Sequence, residues 1–180
     1  MAKVYLQTYG CQANKFDSET MAGLLLAEGN KLVDNINEAD TIVVNTCSVK
    51  IKTQNKELSF IDSLPKDKQI VVGGCLTKTI DIRKYVSKVD AIFDTNSITK
   101  INEIINENKD NINYDHETKL NLPKARINKD IGIILCQAGG LNRCSFCRTR
   151  LSRGILKSWN SSIGIFTIPF NKSDLKSFKL

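Results

Sequence analysis

Apolar positions change period several times along the first hundred residues. Over residues 3–8 they alternate, with Val4 and Leu6 on one face, and Tyr9-Gly10 closes the run. Phe16, Met21, Leu24 and Leu25 then recur at helical spacing. Asn14 and Asp17 offer N-caps for that helix, and Gly29 ends it as a C′ glycine. Leu32-Val33 reads as a short strand, and Thr-Ile-Val-Val-Asn over residues 41–45 as a buried parallel strand. Residues 50–64 predict a helix with Leu58, Ile61 and Leu64 on one side, stopped by Pro65. A third strand follows over residues 69–72, a helix over 80–86 and a strand over 91–93. Ser97 caps a last helix whose stripe is Ile101, Ile104 and Ile105. Strand and helix alternate about five times, which predicts an α/β fold: a three-layer domain with a mainly parallel sheet and helices on both faces.

Residues 106–121 are polar and without period, and they read as a linker. A new apolar run, 131–135, predicts a strand leading into Cys136. The expected division is a first domain over 1–122 and an incomplete second one over 123–180.

Composition narrows the class. The chain has 180 residues, 41% hydrophobic and 25% charged, which suits a globular protein with one full domain and part of another. No apolar run is long enough to cross a bilayer, and the first residues, Met-Ala-Lys-Val-Tyr-Leu, form no signal peptide. A cytoplasmic monomer without membrane contact is therefore expected. Without a secretory signal, six cysteines point to metal binding or catalysis ahead of disulfides. Charge is uneven: eleven basic and two acidic residues lie from Pro123 onward, against fifteen basic and seventeen acidic before it. The basic half suits either contact with phosphates or a solvated basic face.

Cys11, Cys47 and Cys75 each lie just past a predicted strand. In a parallel sheet all strand C-termini emerge at one edge, where α/β folds build their sites. Three residues distant in sequence thus meet on one rim. Three thiolates suit an iron–sulfur cluster with one open iron. Zinc competes but usually takes four closely paired ligands, and the single histidine, His116, lies in the polar linker. Each cysteine taken alone also suits a small buried apolar position.

These stretches resemble the methylthiotransferase family of radical SAM enzymes. The matching residues are Thr8-Tyr9-Gly10-Cys11-Gln12-Ala13-Asn14 with Asp17-Ser18-Glu19, then Val44-Asn45-Thr46-Cys47, then Val71-Val72-Gly73-Gly74-Cys75. Further on come Leu122-Pro123-Lys124-x-Arg126 and the run from Leu141 through Cys144-Ser145-Phe146-Cys147 to Gly154. The resemblance implies that Cys11, Cys47 and Cys75 hold an auxiliary 4Fe–4S cluster. It implies a second 4Fe–4S cluster in a CxxxCxxC loop that binds S-adenosylmethionine, with Phe146 near the adenine; otherwise Phe146 is core. The implied activity is 2-methylthiolation of threonylcarbamoyladenosine next to the anticodon of tRNA, as in the archaeal and eukaryotic branch. Other branches act on isopentenyladenosine in tRNA or on a ribosomal protein. The reductant and sulfur donor are not implied by these motifs.

The chain departs from that pattern twice. Gly140 stands where the first loop cysteine belongs, so only Cys144 and Cys147 carry over, with Cys136 either a substitute from upstream or a small residue ending its strand. Only 33 residues follow Cys147, too few for the βα units of a barrel, and the apolar run over 163–170 does not resemble the expected helix. Arg148, Arg150 and Arg153 flank the loop and suit tRNA phosphate, the SAM carboxylate or plain surface. The expectation is an inactive fragment of such an enzyme with one cluster. A non-enzymatic 4Fe–4S domain and a nucleic-acid-binding fragment are the alternatives.

Overall fold

The computed structural model describes residues 1–113, 119, 121–141 and 144–158. Five strands form one parallel sheet: β1 (Lys3–Thr8), β2 (Lys31–Leu32), β3 (Thr41–Thr46), β4 (Gln69–Gly74) and β5 (Ala91–Ile92), in the order β2-β1-β3-β4-β5. β3 is central and buried along its whole length, which explains its unbroken apolar run. Its successive side chains leave on opposite faces. Val43 joins Val71, Met21, Leu25, Ile101, Ile104 and Ile105 on one side. Ile42 and Val44 join Ile70, Val72, Leu58, Ile61 and Leu64 on the other. Helices α1 (Gln12–Ala27) and α3 (Ile101–Glu107) supply the first layer and α2 (Ile51–Ser63) the second. The three-layer α/β expectation is met.

Several local expectations are corrected. Asn14 and Asp17 are not N-caps: Cys11 holds that position, and both lie inside α1, buried. Residues 80–86 form only a single turn, Ile82–Lys84. Ile80, Ile82 and Val86 do not share one helical stripe, so no longer helix could bury them together. Ser97 opens a 3₁₀ turn, Ile98–Lys100, that runs into α3, and its Oγ donates to Asp94 Oδ1 at 2.7 Å. Residues 131–135 form no strand: Ile131 and Ile134 are each 52% exposed, and the extended run has no strand beside it among the described residues. The pairing nearby is a short antiparallel ribbon of β6 (Gln137–Ala138) and β7 (Lys157–Ser158), with α4 (Arg148–Arg153) between them in sequence. His116 and residues 163–170 lie outside the described residues.

The supposed linker is partly structural. Asn111 pairs with Phe93 beside β5. Lys119 is 4% exposed. Residues 122–127 then cross α1 as a strap. Ala125 N donates to Glu19 O at 2.9 Å and Ile127 N to Glu19 Oε1 at 3.2 Å. Lys124 Nζ lies 3.3 Å from the centre of the Phe16 ring. Burial pushes the Lys124 pKa down to about 8, against the attraction of Glu19 and Asp17. This cover explains why α1 buries Asp17 and Glu19 as well as its apolar residues, while Ser18 is buried on the sheet side, against Thr8 and Asn45.

Gly23 makes the close approach possible. A Cβ there would stand 2.3 Å from the Pro123 carbonyl oxygen and 2.5 Å from Lys124 N. Alanine gains about 1 kcal/mol of helix propensity, whereas overpacking against backbone costs about 1–3 kcal/mol. Gly23→Ala is expected to lift the strap, with a net loss of about 1 kcal/mol in urea unfolding and faster tryptic cutting at Lys124 and Arg126. A stabilised variant with unchanged cutting would show that the strap does not press on α1.

Candidate metal centre

Cys11 follows β1, Cys47 follows β3 and Cys75 follows β4. All three line one cavity of about 170 Å³. Parallel pairing brings them there, since the ends of β1, β3 and β4 lie side by side in register. Glycines let the chain ends close in. Gly74 has φ +99°, and a Cβ on it would stand 2.4 Å from Asn45 Oδ1. Gly10 has φ +105°, and a Cβ would meet Cys47 Cβ at 2.9 Å. Cys47 and Cys75 are buried, while Cys11 is exposed at the N-cap of α1.

The polar residues around the cavity are interlocked. Asn14 Nδ2 donates to the carbonyls of Tyr9 and Thr46, each at 2.8 Å, tying the ends of β1 and β3 to α1. Asn45 Nδ2 donates to Asn14 O and Ser18 Oγ, each at 2.9 Å. Asn14 Oδ1 accepts from the Cys75 thiol at 3.5 Å and from Arg153 Nη2 at 2.8 Å. Cys47 N donates to both carboxylate oxygens of Glu57 at 3.1 Å. Glu57 is fully buried, and that burial raises its pKa to about 7, against the hydrogen bond from Cys47. Burial likewise raises the Cys47 and Cys75 thiols; Arg153 pulls both back, but the net shift is upward. Without a metal these are reluctant thiolates, and a bound cation would supply the missing charge.

Arg153 arrives from the far end of the chain. It is the last residue of α4, and Asp17 holds it through Oδ2 at 2.7 Å, while Asp17 Oδ1 accepts from Lys119 Nζ at 2.8 Å. Its Nη1 is buried and has no hydrogen-bond partner. An unpaired guanidinium N–H beside three cysteines suits anionic sulfur in the cavity. Among the described residues no three His, Cys, Asp or Glu side chains stand together around a single ion. Three thiol donors without a fourth protein ligand suit a cluster better than structural zinc. The donor set and the cradle therefore fit an iron–sulfur group.

The second cysteine pair is placed differently. Cys147 is the N-cap of α4 and donates its backbone N–H to Cys144 O at 3.1 Å, so the two share one tight turn. Cys144 is exposed, as is Cys136, and neither lines the cavity. Phe146 is 83% exposed, so it is not core. Gly140 bridges Ile155, and a Cβ on it would meet only Arg150 Cβ at 3.4 Å, which leaves room for a side chain. Arg150 Nη1 donates to the carbonyls of Gly140 and Leu141, at 3.4 and 3.1 Å, and braces the loop. Arg153, expected at a phosphate, a SAM carboxylate or the surface, is instead buried in the first site, because Asp17 and Asn14 supply its counter-charge and acceptor.

Asn14, Asp17 and Glu57 escaped the sequence reading as residues of this site, and Arg153 was expected at the second loop instead. One signal was present. Glu57 shares the helical stripe of Ile61 and Leu64, which buries a charge on the apolar face.

Residues 3–94 match the model of the family described as Uncharacterized protein family UPF0004. The chain belongs to that family. A probable threonylcarbamoyladenosine tRNA methylthiotransferase of Pyrococcus horikoshii is 36% identical over 169 residues, covering 89% of this chain and 40% of the relative. The human threonylcarbamoyladenosine tRNA methylthiotransferase is 32% identical over 170 residues, covering 87% of this chain and 29% of the relative. A tRNA-2-methylthio-N(6)-dimethylallyladenosine synthase of Bacillus licheniformis is 31% identical over 169 residues, covering 84% and 33%. These names bear out the resemblance carried by the motifs. The chain spans less than half the length of the curated relatives it matches. Among the described residues no helix is long and apolar enough to cross a membrane.

Proposed function

We propose that this chain is the N-terminal part of a tRNA methylthiotransferase acting on threonylcarbamoyladenosine, and that Cys11, Cys47 and Cys75 hold its auxiliary 4Fe–4S cluster. The observation that carries this reading is the meeting of three cysteines from three strand ends in one cavity of a family whose named members modify tRNA. Such a cluster, held by Cys11, Cys47 and Cys75, would supply the sulfur that the reaction installs. The chain's own residues prepare the place. Asn14 ties β1, β3, Cys75 and Arg153 to the first turns of α1, Glu57 fixes the backbone at Cys47, and Arg153 brings positive charge to the sulfur atoms. Residues from 123 onward begin a second domain. There Cys144 and Cys147 supply two ligands of a S-adenosylmethionine cluster, and Phe146 is open to stack on the adenine.

Gly140 favours a second reading for this molecule: a cluster-binding domain without radical chemistry, since two thiolates hold a cubane poorly. Work in the cytoplasm as a monomer belongs to the same proposal. Anaerobic reconstitution with iron and sulfide tests both readings. About four irons per chain are expected in the wild type and after replacing Cys144 and Cys147 by serine. Serine at Cys11, Cys47 and Cys75 is expected to leave almost none. Iron that survives the triple replacement would overturn the assignment. Gly140→Cys is expected to add a second cluster whose EPR signal responds to S-adenosylmethionine.

A further inference from the structure

Arg153 belongs to the helix that follows the second cysteine pair, yet its side chain is 6% exposed in the cavity of the first three cysteines. Nη2 is spent on Asp17 and Asn14, while Nη1 is buried and meets no oxygen or nitrogen acceptor, and the guanidinium lies within hydrogen-bonding reach of the Cys75 sulfur. Beside it, Thr95 Oγ1 donates to Ser152 O at 3.1 Å, so α4 is docked on the first domain at two neighbouring residues. Asp17 Oδ2, 2.7 Å from Nη2, supplies the counter-charge of this buried guanidinium.

We propose that Arg153 is the positioning residue that couples the two cysteine sites: its free N–H donates to anionic sulfur at Cys75 or in the cluster beside it, so that filling the first site locks α4, and with it the Cys144–Cys147 turn, onto the first domain.

The inference rests on the cluster reading above and adds a linkage to it. Whatever binds in the cavity and gains from Arg153 must stabilise docking of α4 by the same free energy. Cys147 is the N-cap of α4, and Leu151 N donates to Cys147 O at 3.2 Å, so a docked α4 holds the second cysteine turn in one orientation. The cation also acts on the cluster itself. Reduction adds negative charge, which a buried guanidinium stabilises, so removing it must lower the reduction potential.

The whole chain, with its cluster reconstituted from iron and sulfide, is compared as wild type, Arg153→Gln and Arg153→Lys. Arg153→Gln is expected to lower the potential and to lose iron to a chelator about 10-fold faster, the usual scale for a residue one step behind a metal ligand. Arg153→Lys, which keeps the charge, is expected to recover most of the potential. A residue needed only for folding would lower the melting temperature of both variants and leave the potential unmoved, which would overturn the proposal. Hydrogen exchange on the wild type gives a measurement that needs no variant. Loading is expected to slow exchange of the Leu151 and Gly154 amides, and unchanged exchange would overturn the coupling. A wild-type chain that takes up no iron would instead overturn the cluster reading, and this inference with it.

Discussion

Asp17→Asn is expected to lower the unfolding free energy of the metal-free chain by about 3–5 kcal/mol, the cost of removing one partner of a buried ion pair. Asp17 is 1% exposed and faces two cations, Lys119 on Oδ1 and Arg153 on Oδ2, both themselves buried. Asparagine keeps the shape but offers one acceptor and one donor where two donors point, so one cation is left facing an NH₂ group. Screening by salt is weak at such depth, and the loss should persist at 1 M salt. Urea unfolding at pH 7.5 measures it. Adding Arg153→Gln removes one stranded charge, so the double variant should be more stable than Asp17→Asn alone. A loss under about 1 kcal/mol, of the size seen for exposed pairs, would mean that water reaches Asp17 and that the tie between α1, Lys119 and α4 is loose.

That tie marks where sequence reading stopped. The cysteine rim was legible because it needs only local facts: a strand, its end, and the rule that parallel strands share an exit edge. Cys11, Cys47 and Cys75 each carry that information within a few residues. Asn14 and Asp17 carry a misleading local fact, since both are good N-cap residues, and only the strand-end carbonyls of Tyr9 and Thr46, with Lys119 and Arg153, explain why α1 buries them. Asp17 and Arg153 stand 136 positions apart, and no periodicity connects them. The apolar run at 131–135 failed for the opposite reason. Its residues suit a strand, but a strand exists only beside another, and none lies there among the described residues. Of the three arginines near the loop, the one aimed at the first site was told apart only by its burial.

Glu57 offers a test of the same rim through pH. Its folded pKa is raised to about 7 from an ordinary 4.5, chiefly by burial. The folded chain therefore holds a proton that the unfolded chain releases between these values, and stability falls as pH rises through that window. Below it both states are neutral at this position and the residue contributes no pH dependence; above it the buried charge costs its full amount. At 1.36 kcal/mol per pKa unit the cost approaches about 3 kcal/mol. Glutamine cannot ionise and keeps one acceptor for Cys47 N, giving up the second at about 1 kcal/mol. Glu57→Gln is thus expected to be about 2 kcal/mol more stable than the wild type at pH 8, and no more stable than it at pH 4.5. Lys124, with its pKa lowered to about 8, acts above that window and in the opposite direction, so it does not mask the effect. Urea midpoints of the metal-free chain across pH 4.5 to 8 decide the matter: parallel curves for the two proteins would mean that Glu57 keeps its ordinary, solvated pKa in the folded chain. Then the two oxygens facing Cys47 N would be holding the cysteine from a wet rim.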